Sequence, residues 1–182
     1  MTLQVILGII LAGILSNNYP LMHFLGTGAV LENERSNKRS LVLGLGTTVV
    51  MLISTLVTWP VNKFLLVNVP YLQTLVFVCV VLIVVEVIHL LEHNTLEKFC
   101  RVDFTKFAIN GAVLGLCIHN THLGFVEAII TAIGVGIGFT VVLTVFSALE
   151  YRIDYDAVPY SFRGLPMHLL VAAMIVLALL CF

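Results

Sequence analysis

Four uninterrupted apolar runs, 41–59, 71–91, 125–149 and 164–182, dominate this chain. Each is close to or above the roughly 20 residues that a helix needs to cross a hydrocarbon core about 30 Å thick. Two further runs are long enough but interrupted: 3–31 at Ser16-Asn17-Asn18-Tyr19-Pro20, and 104–122 at Asn110-Gly111. Backbone groups freed inside a bilayer must be satisfied by protein or by a wet cavity, so such breaks are not tolerated against lipid. The pattern predicts an all-α integral membrane protein with six transmembrane helices, two of them broken into half-helices. Composition agrees, with 60% hydrophobic and 10% charged residues among 182 and a mean hydropathy of +1.10. That leaves too little polar surface for a soluble domain. A net charge of -1 with nine Lys+Arg excludes a nucleic-acid binder that works through a basic surface.

The basic residues test the span count. With six crossings, loops 32–40, 92–106 and 150–163 share one side of the membrane. They hold Arg35, Lys38, Arg39, Lys98, Arg101, Lys106, Arg152 and Arg163, leaving only Lys63 on the other side. By the positive-inside rule these loops face the cytoplasm of a multi-pass inner (plasma) membrane protein, and both termini are extracytoplasmic. The opening MTLQVILGIILAGILSNNYP has neither a basic n-region nor a small-residue cleavage site, which predicts a retained segment.

The chain also repeats itself. At an offset of 92, Asn18 meets Asn110, Gly44 meets Gly136, Gly46 meets Gly138, and Thr48-Val49-Val50 meets Thr140-Val141-Val142. Each half, about 1–91 and about 92–182 of a single membrane domain, holds three crossings. An odd number forces the halves to insert in opposite senses, giving two inverted three-helix repeats. Broken helices at matching places in inverted repeats point to a site near the bilayer midplane, here at Asn17, Asn18 and Asn110. Chance matching of glycine and valine is the competing explanation, and the two asparagines weigh against it. The glycines at 44, 46, 134, 136 and 138 lie inside spans, so they read as close-packing surfaces and not as nucleotide loops.

Other residues carry weaker signals. Cys79, Cys117 and Cys181 lie in apolar runs and read as buried thiols; with Cys100 they form no C-x-x-C pair. The stretch 89-HLLEH-93 matches the pattern of inverted zinc metallopeptidases, with two histidines on one helix face and a glutamate as base. Without a third ligand it reads more simply as the polar end of the third span. Glu86 lies inside that span, either as part of an ion path or as an acid near enough the end to reach polar surroundings. Glu127 begins the fifth span and is interfacial.

The motifs NNYPLMHFLG, GLGTTVVMLIST, INGAVLG, GVGIGFTVVLTVFSAL and DAVPYSFRG resemble the RnfA/NqrE family from about residue 10 onward. That family comprises membrane subunits of the Rnf and sodium-pumping NADH:quinone oxidoreductase complexes. The ending from Asp156 to Gly164 favours the A/E-type subunit over its RnfE/NqrD partner. The resemblance implies six helices in two inverted repeats, a partner subunit of similar fold, and coupling of electron transfer to Na+ or H+ translocation. It also implies one cluster-ligating cysteine in each broken helix, in motifs like F-L-G-x-C and T-N-C-A-V-L-G. Here both positions are glycine, Gly28 and Gly111. Glycine offers no thiolate, so the resemblance predicts an electron-transfer scaffold without its own iron–sulfur ligands. Cys117, His23 and His119 lie near the breaks as weak candidate ligands, and a lone histidine there is more often a hydrogen-bonding or interface residue. A transporter or channel-like relative that lost the cluster is the alternative.

Overall fold

The computed structural model describes residues 3–14, 37–66, 69–95, 110–154 and 158–180. Among these the fold is all-α. Its six helices are α1 (Leu3–Ile14), α2 (Asn37–Leu65), α3 (Gln73–Thr95), α4 (Gly111–His119), α5 (Phe125–Tyr151) and α6 (Leu165–Leu180). Two of them contain segments long and apolar enough to cross a membrane, Ser40–Phe64 and Phe125–Tyr151. Shorter apolar stretches occupy Gln4–Ile14, Gln73–Ile88 and Leu165–Ala178.

Polarity runs inside out relative to a soluble protein. Leu45, Ile83, Met174 and Leu177 are each about 60% exposed, whereas Ser40, Thr47, Ser54, Thr55 and Thr58 are almost wholly buried along α2. An apolar exterior over a hydroxyl-lined interior suits lipid, since backbone and side-chain polar groups must then be satisfied within the protein. Several hydroxyls bond back to their own helix: Thr47 to the Leu43 and Gly44 carbonyls, and Thr58 to that of Ser54.

The pair α2–α5 forms the spine, and its register is antiparallel. Gly44 lies against Thr140, Gly136 against Thr48, and Trp59 against Phe125 with ring centroids 5.0 Å apart. A Cβ on Gly44 would sit 2.8 Å from the Thr140 Cα, so only glycine lets these backbones come this close. Across another face of α5 lies α1, at equally short range: a Cβ on Gly13 would meet the Gly134 backbone at 2.9 Å. The core closes over Met51, Phe77, Val113, Leu116, Phe139 and Phe146.

The helix α2 continues past the predicted end at residue 59, through Pro60, to Leu65. Proline lacks an N–H, so the Leu56 carbonyl forfeits its helical bond. The last turn no longer depends on apolarity, because Asn62 Oδ1 accepts from Gln73 Nε2 at 3.1 Å across the connection to α3. Counting apolar residues stops at the first polar one; the helix does not.

Candidate functional site

The interrupted run at Asn110-Gly111 proves to be a helix start. Asn110 has an extended backbone and caps α4, its Oδ1 accepting from the Ala112 N–H at 3.1 Å. A side-chain acceptor at this position satisfies one of the amides that every helix start leaves open, worth about 1 kcal/mol. Asn110 is buried, and its Nδ2 has no hydrogen-bond partner among the described residues.

Burial sets the direction of α4. Ala112, Val113 and Leu116 are wholly enclosed, while Ile118 and His119 are exposed, so the capped end is deep and the far end surfaces. The surfacing end is tied to α2 and α5. Asn120 Nδ2 donates to Thr55 Oγ1 at 3.3 Å and to the Ala128 carbonyl at 3.4 Å, and Trp59 Nε1 donates to the Leu123 carbonyl at 3.1 Å. A nine-residue helix is only about 13 Å long, roughly a third of the length of a 25-residue span. The positive end of its dipole is therefore held inside the bundle, together with a buried amide donor.

A second polar feature lies between α2 and α5. Thr48 Oγ1 and Thr140 Oγ1 are 3.3 Å apart, and each hydroxyl donates to the carbonyl four residues earlier, on Gly44 and Gly136. The two glycines and the two threonines are each 92 residues apart. Each glycine receives the other helix's threonine, so the contact is reciprocal about the threonine pair.

A third pairing went unread in the sequence. Glu150, in the last turn of α5, is buried, and its Oε1 lies 3.1 Å from His168 Nδ1 on α6. The only signal for it was an acid and a histidine each sitting near the end of an apolar run.

The other candidates separate. Cys117 is buried against Thr58, whereas His119, two residues on, faces outward, so the two do not converge. No group of three or more His, Cys, Asp or Glu side chains capable of holding a metal occurs among the described residues. Glu86 points outward from α3, and Cys79 is also exposed. The HLLEH stretch falls within α3, but the side chains of His89, Glu92 and His93 lie outside the described residues. So do Asn17, Asn18, His23 and Gly28. Glu127 reaches back to the Gly124 N–H at 3.4 Å and serves the start of α5.

An all-α bundle with an apolar exterior, a short helix starting among buried residues and a glycine-threonine spine has the character of a membrane protein. The chain belongs to the Rnf-Nqr subunit family of membrane proteins, whose model matches residues 6–182. It is 31% identical over 181 residues to the A subunit of the ion-translocating oxidoreductase complex of Syntrophotalea carbinolica, covering 96% of this chain and 94% of that one. The corresponding protein of Colwellia psychrerythraea is 31% identical over 176 residues, and that of Sodalis glossinidius 29%. In each of these two, 93% of this chain matches 91% of the relative.

Gly111 opens α4 with no side-chain donor, and Cys117 lies buried six residues further along the same helix. Cluster irons are held mainly by thiolates, which this end of α4 does not offer.

Proposed function

We propose that this chain is an A-type core component of a membrane complex that couples electron transfer to translocation of Na+ or H+, and that it holds no iron–sulfur cluster of its own. The observation that carries the reading is the full-length match to A-type relatives, with glycine at the position that opens α4. In this reading six crossings form two inverted three-helix repeats, and the reciprocal contact about Thr48 and Thr140 marks the axis relating them. Its support is the exchange of Gly44 and Gly136 between helices that run in opposite directions.

The chain works beside an RnfE/NqrD-like partner of similar fold, both termini lie outside the cytoplasm, and Asn18 and Asn110 mark the midplane breaks. Glu86 is retained as a candidate element of an ion path, on the cost of placing an acid in an apolar span. The competing reading, a cluster-free transporter, draws on the missing thiolate at Gly111. The partner's sequence separates the two, because cluster cysteines in the partner favour the redox role.

Two experiments test these statements. Purified native complex is expected to contain the RnfE/NqrD-like partner, and iron analysis with electron paramagnetic resonance is expected to find no cluster ligated by this chain. A stoichiometric cluster whose signal changes on Cys117→Ser would overturn the second point. For topology, a Lys98→Cys variant should resist an impermeant thiol reagent in intact cells and react once the membrane is opened. Labelling from outside would reverse the orientation.

A further inference from the structure

At the end of the bundle where α2 stops and α5 begins, the described residues line an open cavity of about 510 Å³. Trp59 and Leu66 line its apolar side, and Asn62, Lys63, Gln73 and His122 its polar side. Its hydrogen-bonding character follows from what each group has already spent. The Trp59 N–H is committed to the Leu123 carbonyl, and the Asn62 carbonyl oxygen accepts from Gln73. Asn62 keeps its two N–H donors to offer, beside one remaining lone pair on its carbonyl oxygen. Lys63 lies over the Trp59 ring at 4.7 Å, which holds the ammonium beside the cavity without neutralising it. Among the described residues no carboxylate lines the space; Glu127 sits at its rim on the Gly124 N–H, where it offsets the first amides of α5, and Lys63 is the formal cation of the described lining.

Its depth identifies the source of an anion for Lys63. The cavity sits at the limit of both membrane-length segments, Ser40–Phe64 and Phe125–Tyr151. Phe64, near the end of α2, and Tyr71, just before α3, are each about 80% exposed, and Trp59 and Phe125 pack against each other beside the cavity. Outward-facing aromatic rings at the ends of spans occupy the headgroup region of a bilayer, where lipid phosphates lie.

We propose that this cavity binds a phosphate group, presented by the headgroup of an anionic phospholipid, with Lys63 as its charged contact and Asn62 as a neutral donor. The apolar wall of Trp59 and Leu66 then lies against the glycerol and upper acyl carbons.

The test uses the full chain in detergent, titrated with phosphatidylglycerol or phosphatidylcholine and read by native mass spectrometry. Both lipids carry a phosphodiester, but the choline cation of phosphatidylcholine is repelled by Lys63, so phosphatidylglycerol is expected to be retained about tenfold more strongly. Lys63→Gln should remove that preference and Lys63→Arg should keep it. Arg152→Gln, at the opposite end of α5, should leave it unchanged. Displacement of the lipid by millimolar inorganic phosphate would keep the phosphate site and transfer it to a soluble source. Equal retention of phosphatidylglycerol by wild type and Lys63→Gln, with both eluting as folded protein, would overturn the proposal.

Discussion

Gly44→Val is expected to cost about 3 kcal/mol or more, the upper end of what overpacking a tight interior site does. A Cβ at this position falls 2.8 Å from the Thr140 Cα, a backbone atom that moves only if the whole helix moves. It also falls 2.7 Å from the Thr140 Cγ2, so no side-chain rotation alone relieves the clash. The two branches of valine enlarge the conflict. Gly8→Ala is the matched control: among the described residues nothing lies within 4 Å of its Cβ, and alanine favours a helix interior by about 1 kcal/mol over glycine. Thermal unfolding of the detergent-solubilised protein, followed by size-exclusion chromatography, should separate the two variants clearly. A Gly44→Val protein as stable as wild type would mean that α2 and α5 do not meet at this register.

The double variant Gly28→Leu, Gly111→Leu is expected to abolish co-purification with the RnfE/NqrD-like partner while leaving the amount of chain in the membrane unchanged. Gly111 is the first residue of α4 and remains partly exposed beside the buried Asn110, whose Nδ2 has no partner among the described residues. A partly exposed small residue at a helix start suits a close backbone approach by another protein, which lipid does not require. Insertion should survive because leucine is favoured in a span. Affinity purification from membranes, with quantification of every component of the complex, reads the result directly. Recovery of all partners at wild-type yield would place the interface elsewhere.

Much of this architecture was legible in residue order. Apolar run length anticipated α3, α5 and α6 to within four residues and α2 to within six, because hydrophobic thickness sets a minimum length that chance seldom reaches. The offset of 92 marked Gly44, Thr48, Gly136 and Thr140 as matching positions, but not that each glycine would face the other half's threonine. The role of Asn110 was legible only in part: the sequence marks an interruption, but whether a helix ends, kinks or starts there depends on backbone angles. Here those angles make it a cap. The Glu150–His168 pair and the Asn120 ties to Thr55 and Ala128 were not legible at all. Each joins residues whose proximity follows from how helices stack, and nothing in their local spacing announces a partner. The run past Pro60 was missed for a different reason, since a polar turn outside the apolar stretch can still be helical when its side chains bond across a loop.

The exchange of Gly44 with Thr140 and of Gly136 with Thr48 has a consequence for how this chain can change over time. Each half supplies the notch for the other half's hydroxyl, so neither half can be remodelled alone. Enlarging one glycine requires the threonine 96 residues later, or 88 earlier, to shrink with it, and the two threonines also touch each other. Neighbours joined in this way couple by about 0.5–3 kcal/mol. The two halves of the chain are therefore obliged to drift in step at these four positions.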